Sequence, residues 1–180
     1  MSIIAFFLCL SFNGPVLLDY TLLTINADQN NLPEVVKEQA NIMGQAFVRG
    51  DYKVFSHYTY PEIVKMIGGE NKMAEALTKI TSDMKIKGMM FNNITFGDVS
   101  KIVKSGNELQ CTVAQHTEIK LPSGRAISTS TLIAISTDSG SNWTFVDTSN
   151  KDISMIRNLL PHLSRAIVIP PQQPPVQYNY

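Results

Sequence analysis

Cysteine is nearly absent from this chain: Cys9 and Cys111 are the whole supply. That excludes a disulfide scaffold of the small secreted type, and neither a zinc nor a redox motif is present. Charge is scarce as well. Charged residues make up 17% of the sequence, 15 basic against 15 acidic, for a formal net charge of zero. A chain so balanced lacks the basic surface that nucleic-acid binding draws on, and no nucleic-acid partner is expected. No cofactor and no metal ligand set is expected either. No Lys or Arg occurs before Lys37, and no apolar run of roughly 20 residues goes uninterrupted.

What is there begins with an apolar segment. Ile3 to Phe12 has the length of a signal-peptide core, and a second run leads to Ile25-Asn26-Ala27. We read residues 1–27 as a secretory signal cleaved after Ala27, and the protein as exported, periplasmic or extracellular. The competing reading is a membrane anchor, which Pro15 and Asp19 interrupt. Cleavage removes one charged residue, Asp19, leaving 15 basic against 14 acidic. It also removes Cys9, so Cys111 remains alone as a small buried hydrophobe. Residues 28–169 are long enough for one domain with its own core, and residues 170–180, PPQQPPVQYNY, read as an extended proline-rich tail.

Three helical stretches come first. Asn31 caps a helix over Leu32 to Arg49, with Val36, Ala40, Met43 and Phe47 on one stripe. Asp51 caps a second that breaks at Tyr60-Pro61 and continues as a short piece to Gly68-Gly69. A third covers Glu70 to Lys85 with Met73, Leu77, Ile80 and Met84 at helical spacing. Met89 to Val103 holds a strand. After the sheet, Asp152 caps a short helix carrying Ile153, Ile156 and Leu160.

Residues 108–147 carry the organisation of the domain. They read as three long antiparallel strands joined by two tight turns, Pro122-Ser123-Gly124 and Asp138-Ser139-Gly140, each of the three-residue kind. That register pairs Gln115 with Thr131, Val113 with Ile133, Ile133 with Phe145 and Thr131 with Asp147. One face then holds Leu109, Cys111, Val113, Ile119, Ile127, Ile133, Ile135, Trp143 and Phe145 and is the buried one. The other holds Gln110, Thr112, His116, Glu118, Lys120, Ser128, Ser130 and Thr144 and is wetter. On the buried face a polar band interrupts the apolar one: Gln115, Thr117, Thr129, Thr131 and Asp147. Two readings of the band stand open: Asp147 is a solvated strand-end residue that helps a turn, or the band lines a cavity between sheet and helices.

The element order, the Phe47-Val48-Arg49-Gly50-Asp51 junction, the break at Tyr60-Pro61, Gly68-Gly69 and Asn142-Trp143-Thr144-Phe145-Val146-Asp147 resemble the nuclear transport factor 2-like superfamily, the cone-shaped, cystatin-like α+β fold. More narrowly, TYPEIVKMIGGENKM, GNELQCTVAQ, STLIAISTDSGSNWTFVDTS and IPPQQPP look like secreted Bacteroidetes proteins of that superfamily, over about residues 33–176. The resemblance implies α+β architecture, with N-terminal helices packed in the concave side of a curved antiparallel sheet, a conical pocket between them, and a homodimer built on the sheet. Ketosteroid isomerase relatives use a pocket carboxylate as base, with a Tyr and a protonated Asp as donors; dehydratase relatives use a His with an Asp. Here Asp147 is the candidate acid, with His57 and Tyr58 as candidate assistants. The first helix offers no Tyr, Asp98 is the other strand acid, and His116 falls on the wetter face. The pattern is incomplete.

The sequence therefore favours a non-catalytic pocket domain that binds a small apolar or amphipathic ligand, or a protein partner, through Gln115, Thr117, Thr129, Thr131, Trp143 and Asp147. The alternative is an isomerase- or lyase-type enzyme with Asp147 as general base.

Overall fold

The computed structural model describes residues 31–179. The expected signal peptide lies outside them. α1 (Leu32–Arg49) buries Val36, Ala40 and Met43 along its stripe, and Phe47 packs beside them. Gly50 ends it at φ 79°, in the left-handed region that glycine enters without steric cost. The Asp51 carboxylate accepts the Val54 N–H at 3.2 Å and starts α2 (Tyr52–Tyr58). Tyr60 is extended ahead of Pro61, which opens α3 (Pro61–Ile67). Gly68 and Gly69 turn the chain into α4 (Glu70–Ile86). Two helix expectations fail. Asn31 makes no side-chain capping bond. In α4 only Met73 of the expected stripe is buried, and Ile80 is 53% exposed, because α4 packs mainly on α2 and reaches little of the sheet.

The helices are followed by an open antiparallel sheet of six strands, so the chain is α+β. The strands are β1 (Met90–Val99), β2 (Val103–Ser105), β3 (Glu108–Leu121), β4 (Gly124–Ser136), β5 (Thr144–Asp147) and β6 (Val176–Asn179). Their order is β1-β3-β4-β5, with β2 beside the start of β3 and β6 beside the start of β4. β1 is bulged between Phe91 and Asn93 and again between Phe96 and Val99, and Asp98 is exposed; the expected strand ends at Val99, and Val103 begins β2. α5 (Ile153–Leu159) begins at Asp152, whose carboxylate accepts the Met155 N–H at 2.8 Å.

The register differs from the expected one by a single residue. The β3–β4 connection is Pro122-Ser123, pairing Leu121 with Gly124, Gln115 with Ser130, Val113 with Leu132 and Cys111 with Ala134. The connection from β4 to β5 is longer than three residues and pairs Leu132 with Asp147 and Ala134 with Phe145. β3 and β5 therefore keep their expected faces, and β4 is turned over. Leu132, Ala134, Ser128 and Ser130 face α1; Ile127, Thr129, Thr131, Ile133 and Ile135 face away. The physical cause lies in Leu132-Ile133-Ala134-Ile135, apolar at every position, so alternation cannot choose between faces.

Both faces of that stretch are in fact covered. On one, Val36, Ala40 and Met43 of α1 pack on Phe96, Cys111, Val113, Leu132, Trp143 and Phe145. On the other, Ile133, Ile135 and Val146 pack with Ile156, Leu160, Leu163 and Ile167. Gln110, expected on a wet face, lies under this second layer. It donates to Glu108 Oε2 at 2.6 Å and the His162 carbonyl at 3.1 Å, and accepts from the Ser164 N–H at 2.9 Å. The expected proline-rich tail is paired to the sheet at its end. It leads into β6, whose Val176–Asn179 pair with Ile127–Gly124, and the Arg125 guanidinium sits 5.0 Å from the Tyr178 ring centroid.

Candidate functional site

α1 packs across the sheet. At Gly44 an added Cβ would lie 2.9 Å from Phe96 Cε2 and 3.0 Å from Ile94 Cγ2, so the helix touches β1 there. Three residues on, Phe47 packs against Phe55 and Phe91, with ring centroids 5.2 and 4.8 Å away. The strand positions beneath are small and polar: Gln115 opposite Ser130, and Thr117 opposite Ser128. Between these layers lies a cavity of about 640 Å³, within the range of small-molecule sites. Met43, Phe47, Phe55, Ile63, Phe91, Ile94, Ile119, Leu132 and Phe145 supply its apolar walls. The Gln115 amide donates to Thr117 Oγ1 and Ser130 Oγ, both at 3.4 Å, long bonds that leave this wall weakly tied to itself. The cavity also meets exposed residues, Met66 and Ile67 on α3, Asp147 at the end of β5, and Asn150, Lys151 and Gln172 beyond it.

The structure gathers some of the expected site residues and separates others. Gln115, Thr117 and Asp147 line the cavity. Thr129 and Thr131 do not; their side chains turn to the opposite face with β4, and Thr129 Oγ1 pairs there with His116 Nδ1 at 3.0 Å. Trp143 is 1% exposed and belongs to the packed end of the core, where Nε1 donates to the Gly140 carbonyl at 2.9 Å and its N–H to Gln39 Oε1 at 2.8 Å. His57 and Tyr58, their rings 5.4 Å apart, line a different depression of about 840 Å³, bounded by Gly69, Glu70 and Thr144. Asp147 is exposed, and its Oδ1 accepts both the N–H (2.9 Å) and the hydroxyl (2.7 Å) of Ser149, which makes it a turn former at the end of β5. The three candidate catalytic groups thus do not meet. Tyr60 borders a third pocket, with Glu62 and Glu108; burial first, then those two carboxylates, raises its hydroxyl above the ordinary value. Burial pushes the Cys111 thiol up to about 12.

Ser128, Ser130, Lys151 and Gln172 are site residues that the sequence reading missed. The two serines were lost with the register: Ser128-Thr129-Ser130-Thr131 is polar at every position and carries no alternation. Gln172 arrives from the far end of the chain, its Oε1 accepting the Asn150 N–H at 3.0 Å. Among the described residues no cluster of His, Cys, Asp or Glu is arranged to hold a metal ion, and no helix is long and apolar enough to cross a membrane. Compared with known proteins, the chain matches no protein-family model, and no curated protein matches it.

Proposed function

We propose that this is an exported pocket domain of the cone-shaped, nuclear transport factor 2-like type, and that it binds a small apolar or amphipathic molecule between α1, α2 and the sheet. One observation carries the reading: large aromatic and aliphatic side chains line a roomy cavity whose floor is a polar patch of Gln115, Thr117, Ser128 and Ser130. Apolar walls supply affinity and a few polar groups orient the guest, the usual composition of such sites. The isomerase or lyase alternative needs Asp147 beside His57 or Tyr58, and Asp147 borders a different cavity from those two. Export rests on the composition of residues 1–27. A homodimer would use the outer sheet face around Thr95 and His116, away from the layer that covers Ile133 and Ile135; light scattering that gives a monomer at every concentration removes it.

The test is native mass spectrometry of residues 28–180, purified gently from the secretory compartment, followed by titration with a neutral naphthylamine fluorophore. A retained small molecule or saturable fluorophore binding is the expected result. A clean apo mass together with no saturable binding ends the reading.

A further inference from the structure

The cavity has a second opening, where two basic side chains, Lys151 and Arg157, stand against one acid, Asp147. β4 is paired on its outer edge by β6 up to Ile127 and by β5 from Leu132, so residues 128–130 have no strand beside them. The Thr131 carbonyl points to this edge, where it accepts the Thr148 N–H at 3.1 Å. Backbone groups of alternate residues share an edge, so Thr129 presents its N–H and C=O to the same gap. The polar rows Thr117–Ser128 and Gln115–Ser130 run across the floor of the cavity toward it. On the other side of the gap lies a cavity of about 580 Å³ that shares Ser130, Ser149, Lys151 and Gln172 with the first. Its lining contains Arg157 and no Asp or Glu. The single acid of the first cavity, Asp147, lies at the end of β5, where its Oδ1 accepts from Ser149. Lys151 Nζ donates to the carbonyls of Asp147 (3.0 Å) and Ser149 (3.4 Å), which leaves its third N–H for a guest.

We infer that the guest is an amphiphile with a compact anionic head: its tail lies among Phe47, Phe55 and Phe91, and its head lies in the gap between β5 and β6, held by Lys151, the Ser130 hydroxyl and the Thr129 N–H. This rests on the pocket reading above. A neutral hydroxyl head accepts only an ordinary hydrogen bond from Lys151 and gains less than an anion does, and a cation at the gap meets two basic side chains, Lys151 and Arg157.

Calorimetry with dodecanoate, dodecanol and butyrate tests it. Dodecanoate is expected to bind about tenfold more tightly than dodecanol, from charge-assisted hydrogen bonds at the head. Lys151→Gln removes most of that preference; Lys151→Arg keeps it. Lys151 is exposed, so these variants fold, which a thermal melt checks. Butyrate, a head without a tail, is expected not to bind measurably. Equal binding of dodecanoate and dodecanol, or a preference that survives Lys151→Gln, overturns the inference and leaves the pocket standing. Binding of neither long-chain probe overturns both.

Discussion

Two stretches of the same two strands, on the same face, end up opposite in kind. The Cys111–Ala134 and Val113–Leu132 rows lie under α1 with Trp143 in the packed core, and Leu132 and Phe145 stand at its border with the cavity. The next rows, Gln115–Ser130 and Thr117–Ser128, form the floor of a cavity. Backbone pairing is continuous through all four, so the difference is carried by side chains alone. Small hydroxyls cannot fill the distance that leucine and tryptophan fill, and the Phe47–Phe55–Phe91 cluster keeps the helices from settling onto them. A polar floor tolerates water, and so the space can stay open where an apolar floor would favour collapse. Packing at one end of the sheet thus sustains a hollow at the other.

The largest break in that comparison comes from the sealed end. Trp143→Ala leaves a void in a rigid core, and a urea titration should show a loss of about 3–5 kcal/mol, enough to loosen the cavity with it. Alkaline pH probes the same end through Cys111. Below its ordinary value of 9.0 the thiol is protonated both folded and unfolded; above that, the unfolded chain gives up the proton while the folded chain holds it up to about 12. Stability should therefore fall with rising pH across that window, and Cys111→Ala should flatten this part of the fall in pH-dependent melts.

A smaller effect is expected at Asp138, which builds the loop that seats Trp143. It accepts from the Asn142 N–H at 2.9 Å, the Asn142 amide at 2.7 Å and the Ser136 hydroxyl at 2.8 Å. Burial pushes its carboxyl up, and those bonds outweigh it and hold the group below the usual range. Asp138→Ala should cost about 1 kcal/mol by denaturation and should lower Trp143 order in fluorescence anisotropy. The smallest effect on stability sharpens the comparison most. Ser130→Leu extends the packed rows into the hollow; it should change stability by less than about 1 kcal/mol in either direction while abolishing fluorophore binding. A variant that still binds would place the guest elsewhere.

How much of this was legible in the sequence depends on whether a local rule had a single solution. The start of α2 at Asp51, the break at Pro61 and the start of α5 at Asp152 follow from one residue's chemistry each, and all three hold. The faces of β3 follow from its alternation: Cys111 and Val113 lie in the core, and Gln115 and Thr117 on the cavity floor. β4 has no alternation to read. Its first half is hydroxyl at four successive positions and its second half apolar at four, so register depended on loop length, and a two-residue turn was read as a three-residue one. The same single step moved Ser128 and Ser130 into the site and Thr129 and Thr131 out. Lys151 and Gln172 were not legible, because what brings them to the cavity is the path of the chain after β5. Nor could alternation foresee that residues 160–169 cover the outer face, since a second layer requires knowing which elements follow around the edge.

The pairing of β6 with β4 also orders events in time. β4 is made well before residues 176–179, so during synthesis its hydrogen-bonding edge at Gly124–Ile127 stands bare until the chain has travelled through α5 and the prolines. An unpaired edge of this kind is a template for other chains. The nascent protein is therefore most prone to join a neighbour in the interval before β6 arrives, and a molecule clipped between Pro170 and Pro175 would be returned to that interval permanently.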